Sequence, residues 1–160
     1  MREVETAIAR INDYVGRKFY VGPRDVGLIV AAQDALGIQF PPSYRMFLEQ
    51  LGAGSIRGRE VYGIVDGDFR DSSIPDGIWL TLREREDSGL PQNLVIVYST
   101  GDGDYVAIDT SRHGSEMESP LVLWRPGVSS SRDDLEEVSS NFGTFLLQLV
   151  REVTDESAQC

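Results

Sequence analysis

NLVIVYSTGDGDYVAIDT, residues 93–110, decides how the second half of this chain is built. Two apolar runs, 93–99 and 104–110, flank a tip that contains Gly101 and Gly103. Short runs rich in β-branched and aromatic residues, bounded by turn residues, read as strands. Glycine reaches the backbone angles that a tight turn demands. The stretch is therefore expected to be a β-hairpin. A third run, PLVLWRP (120–126), follows a short connection. Parallel neighbours need a crossover of about a dozen residues or more, so an antiparallel meander is expected. Asp109, at a strand end, reads as a turn former that accepts nearby backbone N–H groups. Trp124 and Trp79 read as core or rim residues.

Three aspartates in that stretch also invite a chemical reading, and each template fails. An EF-hand starting at Asp102 would place a ligand at Val106 and its glycine at Ala107. DGDFRD (66–71) puts Arg70 where an oxygen ligand is wanted. That leaves at most a weak magnesium or calcium contact. As a dinucleotide loop, Gly101-x-Gly103 lacks a third glycine and a following helix. GAGSIRG (52–58) lacks the Lys-Ser/Thr ending of a phosphate cradle and reads as a helix stop and flexible turn. His113 is the only histidine, and Ser99, Ser111 and Ser115 near it have no G-x-S-x-G elbow. No catalytic residue, metal ligand or cofactor site is assigned.

Outward from the meander, the pattern becomes helical. Val4, Ala7, Ile8, Ile11 and Val15 give residues 3–15 an apolar stripe. Pro23 suits the first turn of a second helix, Asp25 its positive end, and Gly37 its stop. Ile29, Ala32 and Leu36 form that helix's inner face, with Gln33 as an odd polar neighbour. In PPSYRMFLEQLG (41–52), Ser43 is expected to cap a helix whose face is Tyr44, Phe47, Leu48 and Leu51. REVYGIV (59–65) reads as a strand and 66–77 as a loop. IWLTLRERED (78–87) fits helix or strand equally well. GVSSSRDD (127–134) reads as a polar loop. Phe142, Phe145, Leu146, Leu149, Val150 and Val153 mark a last helix, and 154–160 reads as a frayed tail. The expected fold is α+β: one antiparallel sheet of about four to six strands with helices on one face, forming a single domain over 1–160.

Composition restricts the partners. The 160 residues hold 26 acidic and 15 basic side chains, a net −11. Between Glu60 and Glu118 there are 13 acids against four arginines, or −9, leaving −2 elsewhere. Such a field repels nucleic acid and anionic membranes, and it speeds encounter with a basic partner. The competing reading of the same charge is that it simply keeps the protein soluble. The single cysteine, Cys160, excludes an internal disulfide. No apolar run reaches the roughly 20 residues that cross a bilayer, and the N-terminus has no secretory pattern. A cytoplasmic protein is expected.

The order of the motifs then resembles a known family. LIVAAQDALGIQFPPSYRMFLEQLGAGSIRGREVYGI (28–64) is similar to the opening of the SUKH superfamily domain, of Smi/Knr type. A helix ends in Leu36–Gly37. Phe40, Pro41, Tyr44, Arg45, Phe47 and Leu48 form the next motif, Gly52 and Gly54 the glycine-rich turn, and Tyr62–Gly63 the strand end. The later strands, with Gly101, Gly103, Asp109 and Trp124, and the last helix extend the resemblance over about 24–151, leaving the helix 3–15 mostly outside it. Gln33 stands where a glutamate is frequent.

The resemblance implies an α+β fold, no shared catalytic residues and, for bacterial members, an immunity protein that binds a cognate toxin. Eukaryotic relatives act as regulatory modules in cell-wall assembly. Joined to the charge, it points to a basic toxin domain as partner, with no direct nucleic acid or membrane contact. Candidate contacts are Asp66, Asp68, Asp71, Asp76, Glu84, Glu86, Asp87, Asp102 and Asp104, with Trp79 and Tyr105 as aromatic anchors. A regulatory binding module is the competing reading. A small hydrolase using Asp102 or Asp104 is a third.

Overall fold

A computed structural model describes residues 1–129 and 135–158. Its order is α1 (Arg2–Asp13), β1 (Lys18–Tyr20), α2 (Val26–Leu36), α3 (Pro42–Gln50), β2 (Gly54–Ile56), β3 (Arg59–Val61), α4 (Gly77–Ser88), β4 (Leu94–Ser99), β5 (Tyr105–Asp109), β6 (Leu121–Trp124), β7 (Glu137–Ser139) and α5 (Phe142–Ala158). The α+β class holds. The strands divide into two antiparallel sheets, β1-β2-β3 and β4-β5-β6-β7.

The expected hairpin joins β4 to β5, with Ser99 opposite Tyr105 and Leu94 opposite Asp109. Gly101 and Gly103 turn the chain at φ 94° and 97°, angles that side chains with a Cβ resist. Alternation along these strands sorts their side chains onto two faces. Val95, Val97, Val106, Ile108 and Leu121 join the larger core, with α1, α2, α3 and α5. Leu94, Ile96, Ala107, Val122 and Trp124 join a smaller core with Tyr62 and Leu80. The helix α4 serves both, giving Ile78 to the first and Leu80 to the second. Helices thus cover one face, as expected, while α4 reaches round to the other.

That position lets α4 and the end of β3 close the β4 edge. The Thr81 hydroxyl accepts the Ile96 N–H at 3.0 Å, and the Tyr62 N–H donates to the Val97 carbonyl at 2.8 Å. The ambiguous stretch 78–87 is helical because Asp76 caps it, accepting the N–H groups of Ile78 and Trp79.

In the larger core, α1 lies along α5 with Val4, Ala7, Ile8 and Ile11 buried. Val15, expected on that stripe, falls beyond the helix end and is fully exposed. Asp25 caps α2 by accepting the Leu28 N–H, and Gly37 ends it in left-handed backbone. Pro23 lies outside that helix. Tyr44 and Phe47 of α3 meet Phe142 of α5 edge-on, at 5.0 and 5.4 Å between ring centres.

Several expectations are corrected. Ser43 does not cap α3, because the helix begins one residue earlier at Pro42, with Pro41 in the cap position. The stretch 52–58 is more than a flexible turn: it contains β2, which pairs with both β1 and β3. Of 59–65 only Arg59–Val61 is a strand, with Gly63 bridging to Asp76. The supposed frayed tail is helical through Ala158; Gln159 and Cys160, like 130–134 of the expected polar loop, lie outside the described residues.

Candidate partner-binding surface

Helical spacing gives α4 two working sides. On one, Leu80 enters the smaller core and Glu84 lies close enough to Tyr105 to add to the upward shift that burial imposes on its phenol. Tyr105 is half-buried and stacks on Trp124, ring centres 6.3 Å apart. Tyr62 stands beside it. Burial raises the Tyr62 phenol first, and Glu60 raises it next. The hairpin tip completes this side. Asp104 pairs with Arg125 at 3.3 Å, and Asp102 accepts the Thr100 hydroxyl, which holds its carboxyl below the usual range.

The other side of α4 faces the loop after β3 across a groove of about 580 Å³. Asp68, Trp79 and Glu86 line it, together with Arg70, Arg83 and Arg85. Asp66 and Asp68 shape the loop itself. Asp66 accepts the Asp68 N–H at 2.9 Å, while Asp68 accepts those of Arg70 and Asp71. Asp71 is exposed, and Asp87 pairs with Arg83 at 3.6 Å.

The acidic candidates therefore do not share one face. Glu84, Asp102, Asp104 and Tyr105 gather around the hairpin, while Asp68, Glu86 and Trp79 border the groove among arginines. Asp76 is a correction: it is fully buried and cannot meet a partner. Besides capping α4, its other oxygen accepts the Val65 N–H at 3.0 Å. Its carboxyl is raised because burial outweighs those N–H donors.

Sequence reasoning missed two polar residues that set this frame and noted a third without giving it a role. Glu118, counted only as a charge, is buried and accepts both the Ser43 N–H and its hydroxyl. The Arg24 guanidinium donates to the carbonyls of Val21, Gly22, Pro23 and Val65, tying the loop after β1 to the chain beyond β3. The Gln33 oxygen accepts the Phe40 N–H at 2.8 Å across the α2–α3 turn, which explains the polar residue on an inner face. A polar residue inside an apolar stripe was the one available signal, and only Gln33 carried it.

The motif residues cluster where chain segments cross. Gly63 lies so close to the Gly52 carbonyl that a Cβ would overlap it. Tyr44 donates from its hydroxyl to the Tyr62 carbonyl at 2.9 Å. Leu36 is buried at the end of α2, and Gly54 in β2 pairs with Tyr20 and Val61. Asp109 accepts the Asn93 amide, the Ser111 N–H and the Ser111 hydroxyl. A family model described as SMI1-KNR4 cell-wall (SUKH_5) matches residues 4–151. The chain belongs to the SUKH family. The SUKH match takes in nearly all of α1, which the sequence reading had left mostly outside. SUKH domains are generally non-catalytic, and membership fits protein-binding, immunity-type proteins. No curated protein matches this chain in sequence. Among the described residues, no group of three or more His, Cys, Asp or Glu side chains could hold a metal ion, and no helix is long and apolar enough to cross a membrane.

Proposed function

We propose that this SUKH protein is a cytoplasmic, non-enzymatic immunity protein that neutralises a basic, nuclease-type toxin domain. The supporting observation is the surface around Tyr105: a half-buried aromatic ring with Glu84 against it, Glu60 close to the neighbouring Tyr62, and Asp102 and Asp104 at the hairpin tip where its strand begins. A nuclease is basic where it grips phosphate, so a carboxylate-rimmed aromatic face can occupy that grip and exclude nucleic acid. Asp104 is no obstacle, since an exposed pair such as Asp104–Arg125 contributes little and exchanges readily for a partner's cation.

Co-expression with the toxin domain encoded beside it tests the proposal. Growth should be rescued and a stable complex should elute on gel filtration; absence of both sinks the reading. The family description, with its reference to the cell wall, supports a regulatory binding module as the second reading. That reading gains if pull-downs return envelope-assembly proteins and no toxin.

A further inference from the structure

The groove between α4 and the loop 67–70 has a character opposite to the surface around it. Within a segment carrying −9, its lining has three arginines against Asp68 and Glu86, a net +1. Its apolar walls are Phe69, Trp79 and Leu82. The arginines are only partly engaged. Arg70's guanidinium has no acceptor among the described residues. Arg83 lies over the Trp79 ring, 5.5 Å from its centre, and holds Asp87 only at 3.6 Å. Arg85 is fixed through one terminal nitrogen to the carbonyls of Leu36 and Gln92, at 3.0 and 2.8 Å, while its buried Nε–H has no acceptor. A buried donor without an acceptor costs about 1–3 kcal/mol, and guanidinium groups match carboxylate geometry.

We propose that this groove binds an acidic segment of another protein, seating one carboxylate among Arg70, Arg83 and Arg85 and an adjacent apolar or aromatic side chain against Trp79. Charge complementarity commits it to a monoanion. Asp68 and Glu86 at the border, with Asp87 already on Arg83, repel phosphates and polyanions and leave the arginines enough positive charge for one carboxylate only. The groove shares with the toxin surface only Trp79, which packs against the same smaller core as Tyr105; its arginines lie outside that surface, so variants of them test the site independently.

A random heptapeptide library displayed on phage, selected against the full chain, tests the site. The expected consensus holds Asp or Glu beside an apolar residue. The synthetic consensus peptide should shift the Trp79 indole resonance and leave that of buried Trp124 in place. Arg70→Ser with Arg83→Ser, both exposed positions, should weaken binding at least tenfold. Glu86→Lys should strengthen it several-fold. Failure to select any peptide, a consensus without an acid, or affinity unchanged in both variants overturns the assignment. So does a Trp79 shift produced by ATP or inorganic phosphate and not by the acidic peptide. Toxin binding retained by the double variant while peptide binding is lost separates the two surfaces.

Discussion

Ser43 and Glu118, 75 positions apart, are joined by two hydrogen bonds: the Ser43 N–H and hydroxyl donate to separate oxygens of one carboxylate, at 3.0 and 2.7 Å. Both residues are buried, so the connection between β5 and β6 supplies the first turn of α3 with the acceptor its own cap residue, Pro41, lacks. Glu118→Ala leaves two buried donors without acceptors and should cost about 2–4 kcal/mol in urea unfolding. Glu118→Gln keeps one acceptor and should cost about half as much. Equal losses for the two variants would mean that only the full carboxylate serves here and that one retained acceptor contributes nothing.

Asp76 allows a test by pH. Burial raises its folded-state pKa above 3.8 in spite of the N–H groups it accepts. The folded protein therefore holds this proton more tightly than the unfolded chain. The stabilisation from protonation is complete below the unfolded value and is lost as pH rises through the raised one. Asp76→Asn does not titrate. The stability of the wild type relative to that variant should thus grow as pH falls from about 7 towards 4. A relative stability that shrinks instead would show the N–H donors outweighing burial. Asp76→Ala should cost about 2–4 kcal/mol at neutral pH, through the lost cap and the exposed Val65 N–H.

Gly63 sits in a crossing too tight for any side chain. Its N–H donates to the Pro75 carbonyl, its own carbonyl accepts the Gly77 N–H, and a Cβ would strike Gly52. Gly63→Ala should lower stability by about 1–3 kcal/mol, read as a fall in thermal midpoint. Gly67→Ala, where the nearest atom to an added Cβ is 3.6 Å away, serves as the control and should change little.

The β2–β3 turn points the other way. Arg57 and Gly58 both have positive φ, 47° and 81°, the geometry of a two-residue turn that favours Asn-Gly. Arg57→Asn should stabilise the protein by about 0.5–1 kcal/mol in urea unfolding. A loss of stability would show that the long bond from Arg57 to the Val153 carbonyl, at 3.5 Å, outweighs the strain.

For the toxin complex, Glu84→Lys with Asp102→Lys should slow association about tenfold at low salt and leave dissociation nearly unchanged. The gap should close as ionic strength rises. Stopped-flow measurement of both rates decides it, and a rate indifferent to salt would remove electrostatic steering from the proposal.

What the sequence showed depended on length and periodicity. The helices α1, α2, α3 and α5 carry apolar stripes of several turns, and β4 to β6 are unbroken apolar runs. The strands β1, β2 and β7 have three residues each, too few for a period of two to register. In β1 and β7 two of the three residues are exposed as well. In α4 the apolar residues Ile78, Leu80 and Leu82 alternate like a strand, and only the cap at Asp76 decides for a helix. The acidic bias of 60–118 was plain in the sequence, but charge carries no direction. Asp76 and Glu118 counted the same as Asp102, although two are buried acceptors and one stands at a tip. The groove was hidden for the same reason, since its three arginines come from a loop and a helix that only the fold brings together.

Closure of the β4 edge gives the meander a polarity for assembly. The Thr81 hydroxyl and the Tyr62 N–H already occupy the positions where an incoming strand would bond. The four-stranded sheet can be lengthened by another chain only beyond β7. That end is a three-residue strand starting at Glu137, next to Glu136, and brevity and charge are what discourage edge-to-edge growth. Growth of the chain into polymers through this sheet is in this way discouraged at both of its edges.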